Sequence, residues 1–319
     1  MTKSKKKQTT QIKQTKKKPN LKKNNYTRKQ MVNFSNQVYD LTDEDVLDDY
    51  KKLVAIGCNP HANLSTIGND VVNKFTSVER LNTVGYQNIS FYDVLYNRKQ
   101  LQREKYVQKL IDFYKKHRKG YPEIKVMFRL TNLYFSSVSI FKPLNAMDVY
   151  CRFKPKCVLD FTMGWGGRLV GACALNIPKY IGIDYNQNLK SPYTKMCKFL
   201  KKHSTTEIDL YFQDALSLDY SKFDYDLVLT SPPYYNIETY GGNKQKTKED
   251  WDEQFYKPIF EMTYKHLKKG GHYCLNIPTE VYDTVVINVL GKCNTKILLP
   301  KAKRSAVEKY HEYIYVWAK

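Results

Sequence analysis

The sequence predicts an α/β protein: an open, mostly parallel sheet with an antiparallel last strand, preceded by a mainly helical N-terminal region. Three observations predict it. After Lys156, short runs of β-branched and apolar residues alternate with amphipathic segments, the pattern of strands joined by crossover helices. Before Leu144, apolar residues recur at helical spacing between turn signals. The 319 residues suffice for one large domain, or for an α/β domain with a smaller helical partner and a tail.

Residues 1–33 hold 12 Lys and Arg and no acidic residue. Lys5-Lys6-Lys7 and Lys16-Lys17-Lys18, set among Gln, Thr and Asn, cannot bury enough apolar surface to offset their ordering entropy, so a disordered basic tail is expected there. Residues 34–140 form the mainly helical region. Asp43, Glu44 and Asp45 open one helix and Gly57-Cys58-Asn59-Pro60 closes it. A second starts at Phe91, carries Val94, Leu95, Leu101, Val107, Leu110, Ile111 and Tyr114 at roughly helical spacing, and ends at Gly120-Tyr121-Pro122.

Residues 141–319 form the α/β domain, with strands expected at 157–161, 180–183, 208–212, 227–230 and 272–277. A helix over 248–267 puts Trp251, Phe255, Ile259 and Met262 on one face and stops at Lys269-Gly270-Gly271. Strands at 295–299 and 313–317 are joined by a connection too short for a crossover helix, so they should pair antiparallel.

Lys and Arg outnumber Asp and Glu 53 to 31, and 41 to 31 without residues 1–33, which favours a polyanionic partner over an acidic small molecule. The basic arm is either solvated, in contact with phosphate backbone, or an import signal. There is no run of about eighteen apolar residues and no apolar segment of a secretory signal, so a soluble intracellular protein of nucleus or cytoplasm, without a membrane partner, is expected. Enrichment in Lys, Asn and Tyr fits an AT-rich viral or microbial genome. The seven cysteines show no Cys-x-x-Cys pair and read as reduced core residues; the six histidines are isolated, and no metal site is expected.

Val158-Leu159-Asp160-Phe161-Thr162-Met163-Gly164-Trp165-Gly166-Gly167 places a glycine-rich turn between a buried strand and a helix, where backbone can approach a nucleotide-like ligand closely. Twenty residues after Gly164, Asp184 ends the second strand, where a carboxylate can accept both hydroxyls of a ribose. Leu169 stands where a dinucleotide fingerprint has its third glycine, which counts against a dehydrogenase. Asp214, after the third strand, either meets an adenine amino group or caps a helix. Asp160 either binds the amino end of a methionine moiety or holds the turn; the ligand role is the expectation.

The fourth strand runs into Ser231-Pro232-Pro233-Tyr234. Two prolines cannot donate to a ladder and fix a rigid extended turn, suited to positioning a ring. An exocyclic amino nitrogen is a poor nucleophile because its lone pair is delocalised into the base. Acceptors aimed at its two hydrogens favour pyramidal geometry, and Ser231 Oγ and the Pro232 carbonyl are such acceptors. Tyr234 offers a face to a flipped base, worth about 1–3 kcal/mol.

This turn resembles motif IV, (D/N/S)-P-P-(Y/F/W), of the amino-methyltransferases of DNA. Gly164-Trp165-Gly166-Gly167 is similar to their motif I, and Phe141-Lys142-Pro143-Leu144 to their motif X. The resemblance runs from residue 141 to 319. It implies a Rossmann-like S-adenosylmethionine (SAM) methyltransferase sheet, with SAM as cofactor and DNA adenine N6 or cytosine N4 as target. By it, Phe141, Pro143, Asp160, Thr162, Gly164 and Gly166 line the SAM pocket, Asp184 binds ribose, Asp214 binds adenine, and Ser231, Pro232, Pro233 and Tyr234 hold the base. The chain departs from the family in having no room between Asp214 and Ser231, or after Trp317, for a target-recognition domain. Recognition then falls to residues 34–140 or to the lysine-bearing loop at 236–248, and RNA stands as the alternative substrate. A catalytically inactive nucleic-acid-binding subunit is the remaining reading.

Overall fold

The structure is a computed structural model and describes residues 20–59, 65–85, 87–135, 138–235, 238–239, 247–299 and 311–319. Residues 1–19 of the expected tail, and most of the 236–248 loop, lie outside these. The rest of the tail is a correction: it is tied to the helical region. Lys22 and Asn97 exchange two hydrogen bonds (3.1 and 2.8 Å), while the Asn24 amides donate to Asp93 (2.8 and 2.9 Å). Burial works against the Asp93 charge, but the N–H groups of Ser90 and Asn24 and the Lys23 ammonium outweigh it and hold its carboxyl below the usual range.

Helix α1 (Arg28–Tyr39) then starts on a capping box between Thr27 and Gln30. Helix α2 (Asp43–Ile56) opens on its three acidic residues behind Thr42 and stops at Gly57, φ 54°. Helix α3 (Asn69–Asn82) and the short strand β1 (Val84–Gly85) follow. The single helix expected from 91 to 120 is three: α4 (Phe91–Tyr96), α5 (Arg98–Leu101) and α6 (Lys105–His117). The break comes where the Asn97 amide turns back onto the Asp93 and Lys22 carbonyls, at 2.7 and 2.8 Å. Helix α7 (Glu123–Tyr134) completes the region.

Val46, Tyr50, Leu53, Val71 and Val72 of α2 and α3 share one core with α8 (Pro143–Phe153) and the sheet, so a division near residue 140 does not separate two cores. Helices α1, α4, α6 and α7 enclose a second core around Val94, Val107, Met127 and Leu130. A Cys58–Cys151 disulfide joins the end of α2 to α8, correcting the expectation that all seven cysteines are reduced. Thiol titration of denatured, unreduced protein should find the five free cysteines, and seven after reduction; seven at the outset would contradict the pair.

The α/β domain runs β2 (Cys157–Asp160), α9 (Gly167–Ala174), β3 (Lys179–Ile183), α10 (Lys190–Leu200), β4 (Glu207–Tyr211), β5 (Leu227–Thr230) and β6 (Glu238–Thr239). It continues with α11 (Lys248–Trp251), α12 (Lys257–His266), β7 (His272–Asn276), β8 (Thr295–Leu299) and β9 (Glu312–Ala318). A π-helical turn, Asp252–Tyr256, joins α11 to α12, just before Pro258, which has no N–H to give.

Seven strands form one sheet in the order β4-β3-β2-β5-β7-β9-β8. The first five are parallel, and β9 runs antiparallel between β7 and β8, as the reversed final pair predicted. β2 and β5 are adjacent while the chain leaves them in opposite directions, so their carboxyl ends form the switch point where open α/β sheets bind ligands. β6 pairs antiparallel with β1, tying the segment after the proline turn to the N-terminal region. Among the described residues, no helix is long and apolar enough to cross a membrane, and no cluster of three metal-ligating side chains occurs.

Candidate active site

Asp160, at the end of β2, is fully buried. Its two oxygens accept from Arg168 at 2.6 and 3.1 Å, and one also accepts from the Tyr180 hydroxyl at 2.6 Å. The Phe141 ring covers the guanidinium at 5.0 Å, and Arg168 also donates to the Thr162 carbonyl. Asp160 thus forms a buried ion pair with Arg168, which ties it to the Thr162 carbonyl of the turn.

Gly164 and Gly166 sit at φ 56° and 93°, a left-handed region that favours glycine. The Gly164 N–H donates to Asp184 Oδ2 at 2.8 Å and the Asn186 N–H to Oδ1 at 2.8 Å, so each carboxylate oxygen keeps acceptor capacity. Burial pushes the half-buried Asp184 up to about 6 against these two bonds. Gly167 has a different purpose: a Cβ there would lie 1.8 Å from the Phe141 carbonyl oxygen. Phe141 thus packs against the start of α9, and Pro143 against Gly171 further along it.

Asp214 is exposed and caps the short 3₁₀ turn Ala215–Ser217, accepting from the Leu216 N–H at 3.0 Å, the helix-cap alternative named for it. Tyr185, which the motifs did not single out, follows Asp184 with 58% of its surface exposed.

Across the switch point, Thr162 Oγ1 and Thr230 Oγ1 are 2.6 Å apart, joining the glycine turn to the proline turn. Ser231 and Tyr234 are half-buried and Pro232 is buried. The Ser231 hydroxyl donates to Asn276 Oδ1 (3.1 Å), as does the Tyr234 hydroxyl (3.0 Å), and Asn276 Nδ2 donates to the Tyr313 carbonyl (3.1 Å). That last bond fixes which way the Asn276 amide faces. Donating to Asn276 and lying 3.4 Å from the Tyr234 hydroxyl, Ser231 Oγ keeps acceptor capacity for a further donor.

The turn is braced from below. The buried Tyr256 hydroxyl donates to the Pro233 carbonyl and accepts the Tyr235 N–H at 3.2 Å, which holds Tyr235 at φ 50°. Among the described residues, no backbone hydrogen bond reaches the Pro232 carbonyl. Asn276 and Tyr256 were missed in the sequence. Asn276 was legible as a polar residue closing a buried strand; Tyr256 carried no signal.

No family model matches the sequence, and no curated protein matches it. Among solved structures, the chain is similar to TrmN from Thermus thermophilus, with 16% identity and a TM-score of 0.41 over 55% of this chain and 48% of that one. It thus spans about half the length of TrmN. It is also similar to a rRNA methylase from Streptococcus thermophilus, with 16% identity and a TM-score of 0.36 over 56% and 97% of the two chains. A third is the tRNA (m1A58) methyltransferase TrmI from Aquifex aeolicus, with 11% identity and a TM-score of 0.38 over 56% and 69%.

A separate cleft of about 830 Å³ opens near the amino ends of β2 and β3, lined by Cys157, Lys179 and Phe223 among others. None of the expected site residues lines it, and Lys179, Lys222 and Lys268 are each paired with a carboxylate.

Proposed function

We propose that this chain is a SAM-dependent methyltransferase acting on the exocyclic amino group of adenine (N6) or cytosine (N4) in DNA. The observation that carries the reading is the contact between Thr162 and Thr230, which brings a glycine turn with a diol-ready carboxylate against a turn of amino-group acceptors. The residues present fit the cofactor: Gly164 leaves backbone bare while Gly166 makes room for the Met196 side chain, Asp184 keeps acceptor capacity for ribose hydroxyls, and Tyr185 offers a ring face to adenine. SAM, when bound, supplies an electrophilic methyl group on a sulfonium.

The rest is the work of the chain. Ser231 Oγ and the Pro232 carbonyl accept the two hydrogens of the target amino group, Tyr234 stacks on the base, and Asn276 keeps Ser231 an acceptor. The test is incubation of the protein with methyl-labelled SAM and separate pools of duplex DNA, single-stranded DNA and RNA. Label in DNA is expected; label in RNA alone would move the substrate to RNA. No label in any pool, with SAM bound, would overturn the reading.

Asp184 adds a pH dependence. Its raised pKa means the protonated form is favoured in the folded loop, and ionisation costs stability as pH rises through about 6. A diol that donates to the carboxylate binds the ionised form. The dissociation constant for S-adenosylhomocysteine should therefore fall about tenfold per pH unit up to about 6 and level off above it. Calorimetric titration checks this, and Asp184→Asn should flatten the profile. A flat wild-type profile would remove Asp184 from the ribose.

A further inference from the structure

We propose that the exposed face of α6 docks the phosphate backbone of a nucleic-acid strand, with Phe113 against an unpaired base. Between residues 97 and 120, nine Lys and Arg stand against two carboxylates, Glu104 and Asp112. Lys105, Lys109, Phe113 and Lys116 follow one another on α6 at steps of four, four and three residues, and all are exposed, so they form one stripe opposite the buried Val107. None of these three lysines has a carboxylate within ion-pair distance among the described residues. Cations left without local partners are the ones that gain most by replacing the counter-ions of a polyphosphate.

The apolar side of the surface points the same way. Phe113 keeps 54% of its surface exposed among the lysines, and Leu133 and Tyr134 at the end of α7 keep 65% and 39%. The Tyr134 ring lies 4.7 Å from that of Tyr106 on α6, so the two helices present these groups side by side. The Phe113 ring meets those of Tyr114 (5.6 Å) and His117 (4.7 Å) on its own helix and keeps an outward side. A ring flanked by ammonium groups matches a base beside its own phosphates.

The inference rests on the proposed function only for the class of partner, and it is tested without methyl transfer. The affinity of the full chain for fluorescent single-stranded and duplex oligonucleotides is read by anisotropy across a salt series. The triple variant K105E/K109E/K116E should bind at least about tenfold more weakly, and the slope of log K against log salt on single strands should shrink by about 2, for three lost phosphate contacts. K105R/K109R/K116R should retain both values. F113A should lose about tenfold on single strands and less on duplex. Circular dichroism verifies that the exposed substitutions leave the fold intact. Unchanged affinity and slope in the charge-reversed variant would overturn the proposal. So would loss of binding to anionic phosphatidylserine vesicles with oligonucleotide affinity untouched. Wild-type protein that binds through α6 yet transfers no methyl group would overturn the methyltransferase reading and leave this one standing.

Discussion

Replacing Ser231 with alanine is expected to lower kcat for methyl transfer by about 10²- to 10³-fold, the size of effect seen when one preorganised hydrogen-bonding group is removed from a reacting centre. Tyr234→Ala should cost about 5- to 100-fold, the range of one base–aromatic stack. In both variants the affinity for SAM should stay within about twofold, because neither side chain is part of the glycine turn or of Asp184. Tyr234→Phe separates two roles of one residue. It keeps the ring but loses the bond to Asn276, and should lose about tenfold or less. Asn276→Ala leaves the Ser231 proton without its acceptor and should fall in the same direction as Ser231→Ala, by a smaller factor. Single-turnover kinetics with saturating SAM give these values. Wild-type rates in both Ser231→Ala and Tyr234→Ala would remove the proline turn from the chemistry.

The largest effect on stability is expected at Arg168. Arg168→Leu leaves the Asp160 carboxylate fully buried with its ion pair broken, a change that costs about 3–5 kcal/mol when one partner of such a pair is removed. Thermal unfolding should shift down by about 4–7 °C. The double variant Asp160→Asn with Arg168→Leu should recover part of the loss, since the uncompensated charge is gone while the Tyr180 hydroxyl keeps a partner. A single variant within about 1 kcal/mol of wild type would show that the pair is not what holds the glycine turn.

The sheet was legible because its inner strands, buried on both faces, read as continuous apolar runs, and its edge strands β4 and β8 as short runs bounded by turns. The observed bounds of β2 to β5 and β7 to β9 fall within one residue of those expected. The helical region was less so. Helix α7 mixes β-branched and aromatic residues, and its pattern emerges only against the core it fills. The break at Asn97 depends on a contact with Lys22, seventy-five residues away. The Cys58–Cys151 pair, separated by 93 residues, has no spacing signature at all.

At the site, the positions of Gly164, Asp184, Ser231 and Tyr234 followed from backbone conformation and strand ends, which restrict what stands there. The ion pair of Asp160 did not. Its partner Arg168 lies eight residues on, and only the packing of α9 under Phe141 aims that guanidinium back into the strand end. Asn276 and Tyr256 act through single hydrogen bonds across the sheet edge and the π turn, which no local pattern encodes.

The most direct measurement is the mass and retention of the nucleosides released from DNA after reaction with methyl-labelled SAM. Label in N6-methyldeoxyadenosine or N4-methyldeoxycytidine is the predicted result, because in the proposed mechanism acceptors at Ser231 and Pro232 would activate an amino nitrogen and nothing else on the base. Label on a ring carbon, a ring nitrogen or the sugar would contradict it.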